Sequence, residues 1–553
     1  YDDYSFIHKN ALIQQFDGTM VSRVFQSYYM AHYVPITLLS FAFDIAVAGF
    51  EAWWFHLVNI LLHAGSTLLL FSIFRRLSSN LWIGFGVAFL FAVHPMHVES
   101  VAWISERKDV LSVFFMFVSW RVWLAYRNAQ TPIRHRIFLY IIAFVLFCLG
   151  ALSKVSAVVL PVIFLLGEYL AGMRLRLSEI SLRFAEKIPF FLVALVLGFV
   201  GIDANSGAHA WLPNDTWDKV ALASYSWAFY PLKLLLPFNL SAYYPYEAVG
   251  SLVDGTRSVW VLLAPWLVLP VLGTTLWLFI KDRQRVVVFS IGWYTLTVLP
   301  LLSWVPVDAI ITADRYSYVP AIGLFFLLVW VLHRTWDTKK NWQAYLRLAM
   351  IGVCCFFAVL AFSRTLLWKN TGTLFSDVIK KYPESSVAHN NLATYLIDAG
   401  RLAEAKLHLD EAIRLRPKKA NNYLARAILQ GKQGDLHAAI ESLKTSVQLD
   451  PDNPIASTYL GIELAKAHQT NAAIECFDRA IASDAAYHEA WFYRGLMHMW
   501  KQEWLQGAIA FERVVYIRGY RDKRTLELLQ DAYLKSGQQD KAAGIAATLR
   551  DFR

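Results

Sequence analysis

Residues 94–109, HPMHVESVAWISERKD, place two histidines, two glutamates, an arginine, a lysine and an aspartate between two segments apolar enough to lie in a membrane. Ionisable groups at that depth are costly unless they line a wet cavity or bind something, which makes the cluster a candidate site. The competing reading is a solvated hairpin loop, although about two to eight residues would suffice to join two helices. Tyr1-Asp2-Asp3-Tyr4 adds two adjacent carboxylates. An acid beside an apolar surface and a second acid holds its proton more tightly, which suits Asp2 or Asp3 to take a proton from an attacking hydroxyl; either could instead cap the next helix. Arg107, Lys108, Lys154 and Arg315 offer forks and point charges that suit phosphate oxygens. The alternatives are a snorkelling stem for Lys154 and an ion pair with Asp314 or Asp308 for Arg315. His94, His97 and Glu99 form an HxxHxE string without a third placed ligand, so hydrogen bonding is expected of them and no metal is predicted.

The elements that must position these residues are membrane helices. Hydrophobic residues make up 57% of the 553, and charged residues only 17%. The first two thirds hold the apolar runs, while from about residue 371 onward Lys, Glu, Asp and Gln become frequent. The formal charge of +10 resides largely in short loops flanking apolar segments, where it records topology, so nucleic acid is not the expected partner. Cys148, Cys354, Cys355 and Cys476 lack paired spacing, which argues against a disulfide framework or a zinc site.

Ten segments are read as spans: residues 54–74, 81–93, 110–126, 137–152, 155–171, 188–202, 259–280, 286–304, 319–332 and 346–362. Several are short, notably 81–93, so broken or tilted ends are expected. On this count Arg75, Arg76, Arg127, Arg134, Arg136, Arg183, Lys187, Lys281, Arg283 and Arg285 share one face, the cytoplasmic one. The N-terminal segment, residues 94–109, Lys154, the loop around Arg315 and the whole C-terminal third then face outward, into periplasm or lumen. Residues 220–236 are read as re-entrant or interfacial, with Tyr225, Trp227, Tyr230 and Lys233 at headgroup level. An outward first segment also needs a preceding membrane helix, which is expected upstream of Tyr1.

The last third repeats with a period of 34. Ala393, Ala427, Gly461 and Gly495 align, and 12 residues on stand Ala405, Ala439, Ala473 and Gly507. Leu409, Leu443, Phe477 and Phe511 recur at the next core position, and Pro417 and Pro451 end the first two units. Small residues let paired helices cross closely, so each unit is a helical hairpin stacking on its neighbours, with a half unit before it at 374–383 and a degenerate one after it. This pattern resembles the tetratricopeptide repeat over residues 386–522. A concave peptide-binding face is expected, with a spacer or dimerisation arm as the alternative. The expected fold is all-α: a polytopic helical membrane domain over residues 1–368 followed by a repeat solenoid over 369–553.

HPMHVESVAWISERKDVLS, the early Asp-Asp, Leu152-Ser153-Lys154 followed by Val159-Leu160-Pro161, and Ala313-Asp314-Arg315-Tyr316-Ser317-Tyr318 resemble the membrane glycosyltransferases with C-terminal tetratricopeptide repeats, whose eukaryotic members O-mannosylate proteins. The wording is similar to that of a bacterial branch. The resemblance implies a glycosyltransferase class C fold and a polyprenyl-phosphate sugar donor met in the bilayer. It also implies Asp2 as base with Asp3 orienting or binding, and an acceptor polypeptide held by the repeats. On that reading Arg107, Lys108, Lys154 and Arg315 meet the donor phosphate, supported by His94, His97, Glu99, Asp109, Asp314 and Tyr316. Transfer is inverting, by direct displacement onto Ser or Thr; no cofactor is expected, and membrane lipids are the surrounding partners. One departure stands out: Tyr33-Val34-Pro35-Ile36-Thr37 occupies the place of a Trp-His-Pro-Leu-Thr string, with His32 nearby. The alternative function is a non-catalytic membrane scaffold whose repeats recruit partners.

Overall fold

The computed structural model describes residues 3–8, 10, 12–14, 18–128, 132–173, 176–204, 216–246, 258–302, 310–338, 343–518 and 522–550. It divides into two compact units, residues 1–382 and 383–553.

In the first unit each of the ten apolar segments forms helix. Five helices among the described residues are long and apolar enough to cross a membrane: Ala52–Ser78, Ile104–Tyr126, Ile133–Ser153, Val259–Ile280 and Leu348–Leu367. Two further candidates are bent pairs, Leu81–Val93 with Pro95–Ala102 at 53° and Ser178–Ala185 with Ile188–Ala204 at 60°. The remaining three are shorter apolar helices, Val155–Leu170, Arg285–Leu301 and Ala321–Thr335. Outward apolar side chains such as Trp266 at 72% exposure and Leu68 at 70% are what a lipid-facing surface presents in place of a polar one. The unit is a multi-pass membrane domain.

The break after Val93 has a local cause. Asn80 caps the start of Leu81–Val93 by accepting from the backbone N–H of Trp82 and Ile83. At the other end Pro95 lacks an N–H and His94 adopts an extended backbone, so the α-helix stops and a short 3-10 turn redirects the chain.

The helix Thr216–Leu235 contains Pro231 and is not among the long apolar spans. The sequence led us to expect Trp227 and Tyr230 on a surface facing headgroups; both are buried in protein, at 7% and 1% exposure. Their neighbours explain the difference: Trp227 donates to Thr295, and its carbonyl accepts from the Tyr294 hydroxyl. Two strands too short to read from sequence, Tyr244–Pro245 and Ile310–Thr312, pair antiparallel beside this helix, where Ser226 donates to the Ile311 carbonyl.

The second unit is a run of helical hairpins: Ser386–Asp398 with Leu402–Leu415, Ala420–Gln433 with Leu436–Leu449, Pro454–Lys466 with Thr470–Ser483, His488–Trp500 with Trp504–Arg518, and Lys523–Lys535 with Gln539–Arg550. The aligned small residues mark the crossings. A Cβ on Gly461 would stand 2.5 Å from Phe477, and one on Gly495 would stand 2.7 Å from Phe511. Where the position is Ala427 instead, the residue sixteen further on is the smaller Leu443, and both are buried in one cluster. The helix Thr371–Lys381, read from sequence as a half repeat, belongs to the first unit, because Lys381 donates to the Leu240 carbonyl at 2.7 Å.

Candidate functional site

Three elements bring charge to one place: the turn and helix start at 99–109, the turn at Lys154, and the segment after the short strand Ile310–Thr312. Glu106 stands at their meeting point, 1% exposed. Its carboxylate lies 3.1 Å from Lys108 Nζ, 3.5 Å from Arg315 Nε and 3.5 Å from Lys154 Nζ. Lys154 also pairs with Asp109. Arg315 pairs with Glu99 through NH1, and its backbone N–H donates to the same carboxylate at 3.2 Å. The Arg315 guanidinium lies over the rings of Trp103 and Tyr316. Burial pulls the Lys154 ammonium down, but Asp109 and Glu106 outweigh it and raise it above its ordinary range. Burial acts likewise on Arg315, and Tyr316, Glu99 and Glu106 hold that guanidinium well above its usual value. Both groups are therefore charged at neutral pH.

Lys154, Arg315, Asp109, Ser156 and Tyr316 open onto a narrow cleft whose other walls include Met116, Val159 and Leu301. Two cations and several apolar side chains lining one cleft suit an amphiphile with an anionic head.

Asp3 reaches this loop from the start of the chain. Its carboxylate accepts from both the backbone N–H of Ser105, at 2.8 Å, and the Ser105 hydroxyl. The turn at Lys154 is tied to the first loop too, because Thr37 donates to the Ser153 carbonyl at 2.9 Å. His32 ends a tight turn in which Met30 and Ala31 both take left-handed backbone conformations, with φ of 48° and 60°, a strained choice for residues with side chains. Burial, then the nearby Lys108, depress His32 to about 3, so its imidazole is neutral. Asp2 lies outside the described residues, as does Asp308.

Arg107 takes a different place from the one expected beside its neighbours. It is fully buried, with NH1 2.6 Å from Asp44, Nε donating to Asn59 and NH2 to the Phe55 carbonyl at 2.9 Å. Successive helical residues point about 100° apart. At this helix start Glu106 and Lys108 turn to the charged cluster while Arg107 turns to the core, where it braces two other helices. Lys108 lies over Phe6 and Trp103 and is not among the residues that line the cleft.

His94 and His97 are buried among Phe91, Tyr318, Phe325 and Phe357. His94 Nε2 donates to the Leu234 carbonyl at 3.0 Å and Nδ1 accepts from the Met96 N–H, while His97 Nδ1 donates to the Phe91 carbonyl at 2.8 Å. Asp314 does not pair with Arg315. It accepts from the Tyr244 hydroxyl at 2.7 Å and lies 3.2 Å from Arg364, which itself donates to the Leu240 carbonyl. Burial raises the Asp314 carboxyl above its usual range, against the pull of Arg364. Glu106, Arg364 and Tyr244 were not singled out from sequence. Glu106 lay inside the motif, and its membership of the charged string was the signal; Arg364 offered only a lone cation at the end of an apolar helix.

The tetratricopeptide repeat family matches residues 390–454 and 459–522. Among curated proteins the chain is similar to a protein O-mannosyl-transferase of Caenorhabditis elegans, 24% identical over 423 residues, covering 74% of this chain and 57% of that protein. It is also similar to protein O-mannosyl-transferase TMTC1 of Homo sapiens, 24% identical over 458 residues, covering 70% of this chain and 48% of the relative. The chain thus spans about half the length of the curated relatives it matches. The chain is thus similar to protein O-mannosyl-transferases, as its motifs led us to expect, and carries tetratricopeptide repeats. Among solved structures, MamA matches at 23% identity with a TM-score of 0.28, over 31% of this chain and 92% of MamA.

Proposed function

We propose that the protein is a membrane glycosyltransferase that moves a sugar from a polyprenyl-phosphate donor to Ser or Thr of an acceptor protein on the outer face. The observation that carries this reading is the union of Asp3 with Ser105, one residue before Glu106 in the cation cluster. It sets Asp3 beside groups that suit phosphate.

The acceptor hydroxyl oxygen attacks the anomeric carbon, and the bond from that carbon to the phosphate oxygen breaks with its electron pair leaving on the phosphate. Asp2 takes the hydroxyl proton, because its neighbour Asp3 already accepts two hydrogen bonds and serves as the anchor. Lys154 and Arg315 face the cleft and answer the charge that builds on the departing phosphate. The apolar cleft wall takes the first isoprene units. The repeats hold the acceptor polypeptide and raise its concentration near the base.

Incubating the purified chain with prenyl-phosphate sugars and a Ser/Thr-rich peptide tests the reading. Sugar appears on the peptide with wild type and is lost with Asp2→Asn. Absence of transfer from every prenyl-phosphate sugar tried would sink it.

A further inference from the structure

A single carboxylate within reach of three cations, two of which already have a carboxylate of their own, is an unusual arrangement. A buried acid needs pairing, and one well-placed cation supplies it. Glu106 faces Lys108, Lys154 and Arg315, which come from separate parts of the chain and would repel one another without it. Glu106 Oε2 lies 3.5 Å from Lys154 Nζ. With Glu99 and Asp109 the cluster sets three carboxylates against three cations. Lys154 and Arg315 line the cleft whereas Glu106 does not, although its carboxylate is 3.5 Å from each.

The chemistry of transfer gives that balance a purpose. A sugar-phosphate-lipid donor is a phosphodiester with one negative charge. The lipid phosphate left behind is a monoester with about 1.5 to 2 charges at neutral pH. An uncompensated cationic site would therefore hold product more tightly than substrate and stall after each turnover. We infer that Glu106 is a built-in counter-ion that moderates the grip of Lys154 and Arg315 on lipid phosphate and lets the product leave. This inference rests on the glycosyl-transfer reading. Lys108, which does not line the cleft, supplies the opposing charge that keeps Glu106 ionised.

The test uses the full chain in detergent and farnesyl phosphate as probe, with farnesol as the neutral control. Wild type binds farnesyl phosphate in preference to farnesol. Glu106→Gln binds it about tenfold tighter and shows stronger product inhibition, a gain that a merely structural role for Glu106 could not produce. Glu106→Gln combined with Lys108→Met restores the charge balance and returns affinity to within about twofold of wild type. That double variant also serves if the single one does not fold, and a tenfold departure in it overturns the inference. Equal or weaker binding by a folded Glu106→Gln protein, with wild type binding normally, overturns the counter-ion alone. No binding of farnesyl phosphate by wild type removes the transfer reading and this inference together.

Discussion

Asp3 and Ser105, 102 residues apart in the chain, are joined by two hydrogen bonds to one carboxylate oxygen. The pairing fixes the first loop against the second at the level of the cation cluster. Asp3→Asn keeps the shape but converts a charge-assisted acceptor into a weaker neutral one. We expect a loss of about tenfold in transfer rate from Asp3→Asn, against about 10² to 10⁴ from Asp2→Asn, measured as sugar released from a prenyl-phosphate donor. Equal losses would remove the division of labour between the two acids.

Arg107 and Lys154 differ in kind despite sharing a cationic motif. Arg107→Met leaves Asp44 buried without its partner, a loss of about 3 to 5 kcal/mol, and lowers the thermal midpoint in detergent. Lys154→Gln and Arg315→Gln reduce turnover by about 10² to 10³, beyond the stability lost by leaving Asp109 or Glu99 without its cation. A folded, fully stable Arg107→Met protein lacking activity would reverse this assignment.

His32 makes stability depend on pH with a definite sign. Its folded value, about 3, lies below the ordinary histidine value, so between roughly pH 3 and 6.5 the unfolded chain binds a proton that the folded one does not. Stability is intact above the unfolded value and falls as pH drops through that window. His32→Gln flattens the dependence of thermal midpoint on pH across it; an unchanged slope would place the proton elsewhere.

Gly461 tests the repeat packing. Alanine there meets Phe477 and costs about 1 to 3 kcal/mol from overpacking, seen as faster amide exchange in the helix Pro454–Lys466. Adding Phe477→Leu recreates the pairing of Ala427 with Leu443 and restores protection.

The helices were legible because long apolar runs and a strict period survive in any sequence that must fill a bilayer or stack repeats. The charged cluster was only half legible. Lys154, Arg315 and Asp109 were read as chemistry because cations and acids between membrane helices demand a reason. Glu106 was passed over because its partners at 154 and 315 are remote in sequence, and only the fold brings them together. Arg107 was grouped with Lys108 by adjacency, although neighbouring residues on a helix face different directions. The clamp of Arg364 on Asp314 has no sequence signature at all, since each alone reads as an ordinary loop or helix-end charge.

The bend at His94 has a consequence for how the sequence can evolve. Both ring nitrogens of His94 are engaged with backbone atoms, so its rotation about the helix axis is fixed. Insertion of a single residue within Leu81–Val93 would turn everything beyond it by about 100° and carry Glu99 away from Arg315. Length variation should therefore be tolerated in loops remote from the charged cluster and forbidden in this half-helix, which acts as the ruler for that cluster.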